Sequence, residues 1–237
     1  MAIDFQSNRH LDEELVMLRR LLFEMSDVVD EQVAGAIDAV SNCDVELARR
    51  VRERDDEVDR LELDVDRQCE RILALFTPVA VDLRLIISAV KVNTDLERIG
   101  DHAKNLAKNT QQLESCSDLI GRTRIREMAD EARAVLHEAQ DAFMKQDRVL
   151  ARKVLAHDRL VDRLHDETLK TIASLIRKHP ERANELVHLV NMGKSVERIA
   201  DHAKNIAELV VFLVEGIDIR HRGAREASAE EAGNETG

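Results

Sequence analysis

The chain has 237 residues and a mass of 26.9 kDa, enough for one large domain or two small ones with a real core. Apolar residues make up 44% and charged residues 35%, with only 8 Gly, 2 Pro and 5 Phe and neither Trp nor Tyr; so few breakers exclude turn-rich sandwiches and barrels, and so few aromatics exclude stacking platforms for single-stranded nucleic acid. The formal charge of −12 repels phosphate backbones and excludes nucleic acid as a partner, while it suits cations.

Residues 1–8 read as an N-terminal arm, with acids where a signal peptide needs an apolar core. The longest stretch without a charge, residues 72–81, contains Pro78, so no segment is expected to span a bilayer. Cys43, Cys69 and Cys116 form no CxxC pair and are odd in number, so they are expected as reduced, partly buried side chains in a cytoplasmic protein.

The apolar spacing is helical from residue 9 onward. Three long helices are predicted over 9–42, 44–76 and 78–112, and three more over 118–145, 147–178 and 180–216. Leu85, Ala89, Val92, Leu96, Ile99, Ala103 and Leu106 step by four and three, as a bundle seam does; Leu47, Val51, Val58, Leu61, Val65, Ile72 and Leu75 do the same, interrupted by polar Arg54 and Gln68. Asp44 and Asp147 stand where a carboxylate caps a helix start. Pro78 and Pro180 fall in corresponding places and are expected in the first turn of the third helix of each set.

The two sets are copies. Residues 97–107, ERIGDHAKNLA, and 197–207, ERIADHAKNIA, agree at nine of eleven positions; residues 44–61 match 147–164 at ten of eighteen, at an offset of 103. The expected architecture is all-α, two tandem, pseudo-symmetric three-helix bundles over 9–113 and 119–217, joined at 114–118 and followed by a disordered tail over 218–237.

The repeated residues include acids off the apolar seam. Asp55/Asp59, Glu97/Asp101, Asp158/Asp162 and Glu197/Asp201 are each four apart and so share one helix face. In an antiparallel hairpin, groups meet when their midpoint lies at the turn. The pairs centred on 57 and 99 have the midpoint 78, and those centred on 160 and 199 have 179.5, at the two prolines. Each half thus brings two carboxylate pairs level on adjacent helices, where a multivalent cation would relieve their repulsion. Oxygen donors favour Mg²⁺, Mn²⁺, Ca²⁺ or iron. Asn105 and Asn205 continue the spacing and are expected as additional ligands or as hydrogen-bond partners of the ligands. His102 and His202 project about 100° away from the acids beside them and read as neighbours, not ligands. His137, His157, His165, His179, His188 and His221 have no copy in the other half and carry no such signal.

No Gly-rich phosphate loop, GxSxG, HExxH or Cys/His zinc spacing is present. Only Glu185/His188 fits the Glu-x-x-His of a di-iron bundle, and its counterparts are Leu85 and Ser88.

In ERIGDHAKNLA, ERIADHAKNIA, PVAVDLR at 78–84 and the two Asp-x-x-x-Asp pairs, the chain resembles the PhoU family. The resemblance implies two three-helix bundles with multinuclear metal clusters, iron in some members, at the acidic motifs. It also implies a cytoplasmic negative regulator of the phosphate-starvation response, often a homodimer, that couples the ATPase of the phosphate ABC transporter to a sensor histidine kinase; peripheral association with the membrane fits that role. PVAVDLR has no copy after Pro180, so any part played by Asp82 or Arg84 belongs to the first half. Two function classes follow: a non-catalytic adaptor, or a carboxylate-type metal enzyme such as a ferritin-like oxidase or a phosphoesterase.

Overall fold

The computed structural model describes residues 5–114, 116–156 and 159–219. Its elements in chain order are α1 (Phe5–Asn42), α2 (Val45–Glu53), α3 (Asp55–Leu75), α4 (Ala80–Thr110), α5 (Cys116–Arg122), α6 (Ile125–Lys145), α7 (Arg148–Ala156), α8 (Arg159–Lys178), a 3₁₀ turn (Pro180–Arg182) and α9 (Ala183–Glu215). No strand occurs among the described residues. The first half is α1, the α2–α3 pair and α4; the second is α6, the α7–α8 pair and α9. The described part of the arm differs from expectation, because α1 already begins at Phe5.

Local chemistry sets the boundaries. Asp44 Oδ1 accepts from the Leu47 N–H at 2.9 Å, and Asp147 Oδ1 accepts from Val149 and Leu150, so both predicted caps are in place. The middle helix of the first half divides at Arg54, whose backbone stays in the helical region and whose N–H still reaches Arg50, so α2 and α3 follow one another closely. Gln68, the second polar interruption of the seam, is buried and satisfied: its amide donates to the backbone and the carboxylate of Glu14. Pro180 opens a 3₁₀ turn that leads directly into α9, one turn ahead of the α-helix itself. Pro78 departs from expectation. The chain stays extended through Val79, α4 starts only at Ala80, and Ala80 itself takes a left-handed φ of 47°. PVAVDLR forms this entry into α4 and brings Arg84 against Gly216, which ends α9 with φ 71°.

The halves share one core. α4 packs along α9 and α1 along α6, so these four helices form the centre and the α2–α3 and α7–α8 pairs flank it. Leu96, Ile99 and Leu106 of α4 and Val196, Ile199 and Ile206 of α9 are all essentially without solvent contact and belong to one continuous apolar cluster. Each such side chain contributes about 1.5–3 kcal/mol of burial. α4 and α9 run antiparallel: Asn109 meets His188, and Asp95 meets His202 and Asn205. Equivalent residues meet at the middle of both central pairs, His102 stacked on His202 at 5.7 Å and Arg133 on Asp30 at 3.4 Å. A pseudo-twofold axis therefore runs between the repeats.

The cysteines correct the sequence reading. Cys43, in a left-handed backbone conformation just after α1, is disulfide-bonded to Cys116 at the start of α5, with Cα atoms 5.8 Å apart. Only Cys69 is a thiol, buried in α3, where burial pushes it up to about 12 and leaves it unreactive.

Candidate metal centres and the seam between the repeats

The antiparallel α3–α4 hairpin brings the first-half acids to one height, as the midpoint at Pro78 requires. Asp55 is buried, accepts from Gln32 Nε2 at 3.1 Å and is ion-paired with Lys104. Asp59 is exposed and Glu97 half-buried. Although Asp59 is exposed, partial desolvation beside the neighbouring helix raises its carboxyl above the ordinary range, and Asp55 and Asp101 raise it further against the opposing pull of Lys104. Burial likewise raises Glu97, with Asp101, Glu62 and Asp59 adding to the effect.

Glu62, which the sequence reading missed, completes this cluster. It lies one position short of i+4 from Asp59, and its carboxyl is raised by burial and then by Asp66, Asp59 and Asp101. Lys104 was missed as well. Its Nζ bonds Asp55 and lies 3.8 Å from Asp101, so a lysine stands in the midst of five acids, with the charge of Arg98 also acting on Glu97. The signal available was the motif itself, since D-H-A-K places a lysine one turn beyond Asp101.

The second half repeats the plan with different donors. Asp158 lies outside the described residues. Asp162 is exposed; Glu197 accepts from Lys194 at 2.6 Å, and Asp201 pairs with Arg198 at 3.1 Å. Burial raises the Asp201 carboxyl, with Glu197 adding to it. At the position equivalent to Glu62 stands His165, with Nδ1 3.9 Å from Glu197. The first cluster thus offers oxygen alone, whereas the second adds an imidazole nitrogen.

Among the described residues, no three His, Cys, Asp or Glu side chains close on one point as a ready-made metal set. The donor chemistry nevertheless fits a hard cation. The acids raise one another's pKa, and the buried Gln32 Oε1 beside Asp55 has no hydrogen-bond partner among the described residues.

Asn105 and Asn205 lie elsewhere, along the seam between α4 and α9. Asn205 Nδ2 donates to Asp95 at 3.1 Å, and Asn105 lines a cleft with His102. Four residues drift by about 40° and so stay on one face, but the eight from Glu97 to Asn105, or from Glu197 to Asn205, drift by about 80°, which carries the asparagines off the acidic face. His102 and His202 also face the seam. Burial, then the charge of His202, pushes the His102 imidazole down to about 4, against the opposing pull of Asp101. A histidine depressed from 6.5 stays neutral in the fold while the unfolded chain takes up a proton. Its contribution to stability is therefore complete above about pH 6.5 and is lost as the pH falls toward 4. Allowing for partial exposure, the loss is about 2 kcal/mol. Urea unfolding at pH 7.5 and pH 5 should show a smaller drop for His102→Gln than for the unmodified chain, and equal drops would contradict this assignment.

The PhoU domain, as a family, matches residues 22–110 and again 125–210, one copy on each half of the structure. The chain belongs to the PhoU family. A "phosphate-specific transport system accessory protein PhoU homolog" of Pseudomonas putida is 37% identical over 227 residues, covering 95% of this chain and 89% of that protein. A homologue of the same description from Aquifex aeolicus is 34% identical, covering 91% of this chain and 98% of its own length. The crystal structure of PhoU from Pseudomonas aeruginosa superimposes with a TM-score of 0.81 at 38% identity, over 87% of this chain and 99% of that one. The phosphate transport system regulatory protein PhoU from Streptococcus pneumoniae gives the same score at 26% identity, over 88% and 99%. The all-α, duplicated architecture expected from the sequence is therefore the architecture of the family.

Proposed function

We propose that this PhoU-family chain is a non-catalytic accessory protein of a phosphate-specific transport system, a negative regulator that contacts the transporter ATPase and a sensor histidine kinase and holds the phosphate-starvation response off when phosphate is plentiful. The observation that supports this reading is the near full-length similarity to proteins described as phosphate-specific transport system accessory proteins, at 37% and 34% identity. The adaptor is proposed to work at the cytoplasmic membrane face as a homodimer; no helix among the described residues is long and apolar enough to cross a membrane. Asp55, Asp59, Glu97 and Asp101, with Asp158, Asp162, Glu197 and Asp201 in the other half, are proposed to hold iron, Mn²⁺ or Mg²⁺ in a structural or regulatory capacity. Support comes from the mutual elevation of Asp59, Glu62 and Glu97 on the outer face of the α3–α4 hairpin, where a bound cation would offset charge repulsion.

The test is a strain lacking the gene, with a phosphate-starvation reporter read in phosphate-rich medium. High output despite plentiful phosphate, returned to low by the intact gene and only partly by a Glu97→Ala/Glu197→Ala allele, is expected. Low output in the deletion strain would overturn the regulatory reading.

A further inference from the structure

The pseudo-twofold axis makes two equivalent clefts along the α4–α9 seam, and the repeats fill them differently. On one side stands Asp95, side chain 13% exposed; His202 Nδ1 donates to its Oδ1 at 2.8 Å and Asn205 Nδ2 donates to the same oxygen at 3.1 Å. The equivalents of His202 and Asn205 are His102 and Asn105, and the equivalent of Asp95 is Ser195. The same two donors therefore line the opposite cleft without the carboxylate that occupies them in the first. That cleft measures about 440 Å³ and is lined by His102, Asn105, Lys108, His188, Lys194 and Ser195 together with Asn109 and Asn191, with no acid among its lining residues. Lys194 is engaged by Glu197, whereas Lys108, exposed on α4, forms no ion pair among the described residues. His188 is held by Asn109, Nδ1 to Oδ1 at 2.9 Å, which fixes its ring at the cleft wall. The cleft thus carries two lysines and no acid in its lining on a chain of net charge −12.

We infer that this cleft, between His102, Asn105 and Lys108 of α4 and His188 and Ser195 of α9, binds a compact oxoanion of the phosphate class, free or carried on a small molecule, in the position that Asp95 occupies on the other side of the axis. Asp95 is the chain's own stand-in for that ligand. Two polar donors, a free ammonium and a small serine in place of the carboxylate supply the hydrogen bonds and the space that a tetrahedral anion needs. The inference does not depend on the regulatory reading, because binding is read directly.

The experiment is calorimetric titration of the full chain, stripped with a chelator so that no cation bridges an anion to the acidic clusters, with chloride at matched ionic strength in the reference. Inorganic phosphate and adenosine monophosphate are titrated separately, and the tighter of the two identifies the free or the carried form. One saturable site per chain is expected. Ser195→Asp, which rebuilds the Asp95 arrangement, should abolish it, and Lys108→Gln, at an exposed position that leaves the fold intact, should weaken it about tenfold. Asp95→Ser should leave the stoichiometry at one, because the position equivalent to Lys108 is Glu208, an acid where the proposed cleft has its ammonium. Helical circular dichroism confirms the fold of each variant. Absence of saturable binding by either anion, or binding unchanged in both Ser195→Asp and Lys108→Gln, would overturn the assignment.

Discussion

Reduction of the Cys43–Cys116 bond is expected to lower the unfolding free energy by about 3–4 kcal/mol, because the bond closes a loop across a sequence separation of 73 and so restricts the unfolded chain strongly. Urea titrations with and without dithiothreitol measure the effect. Cys43→Ser should match the reduced protein, while Cys69→Ser should respond to reductant as the unmodified chain does, since Cys69 is a buried thiol outside the bond. Midpoints unmoved by reductant would show that the pair contributes no constraint. The expected loss is large because the bond fixes the joint: Cys116 opens α5, the short helix through which the chain passes from one repeat to the next, and Cys43 holds it to the end of α1.

Lys104→Met should cost about 2 kcal/mol. Removing one partner of a buried ion pair leaves an uncompensated charge, and the effect is reduced here because Lys104 is 41% exposed while Asp55 is 5% exposed. The variant also exposes the nature of the first cluster. With the ammonium gone, Asp55, Asp59 and Asp101 lose the cation that draws them together, so Mn²⁺ or Mg²⁺ should raise the melting temperature of Lys104→Met more than that of the unmodified chain. Equal shifts would argue against cation binding at these acids. Asp59, Glu62 and Glu97 are raised in the fold, so their contribution weakens stability as the pH rises from the ordinary carboxylate range through their folded values, and a bound divalent cation should flatten that slope.

The helices, the duplication and the level of the acidic pairs were legible because they depend on period and spacing alone. Leu96, Ile99 and Leu106 are buried as their seam predicts, and the two prolines mark the hairpin turns. Three kinds of feature were not legible. The start of α4 depends on Val79 and Ala80, ordinary residues in an extended and a left-handed conformation that composition does not betray. The disulfide depends on two segments meeting across a separation of 73, for which no spacing rule exists. Glu62 and His165 stand at equivalent positions but are chemically different, so identity between the two repeats marks neither. Gly100 and Ala200 are the converse. Their difference is conservative for a helix, yet a Cβ at Gly100 would lie 2.9 Å from Gln32 Oε1, the side chain that holds Asp55.

The common core of the two repeats has a consequence for what fusion permits. In a true homodimer of single repeats, every residue beside the axis would occur on both sides, and a carboxylate placed at one seam would appear at the other. Joined in one chain, positions 95 and 195 are free to differ, and they do, as Asp and Ser. Covalent linkage of the halves thus makes the molecule's two faces distinguishable to a partner, so that a symmetric scaffold can present a different chemistry on each side without any change in its packing.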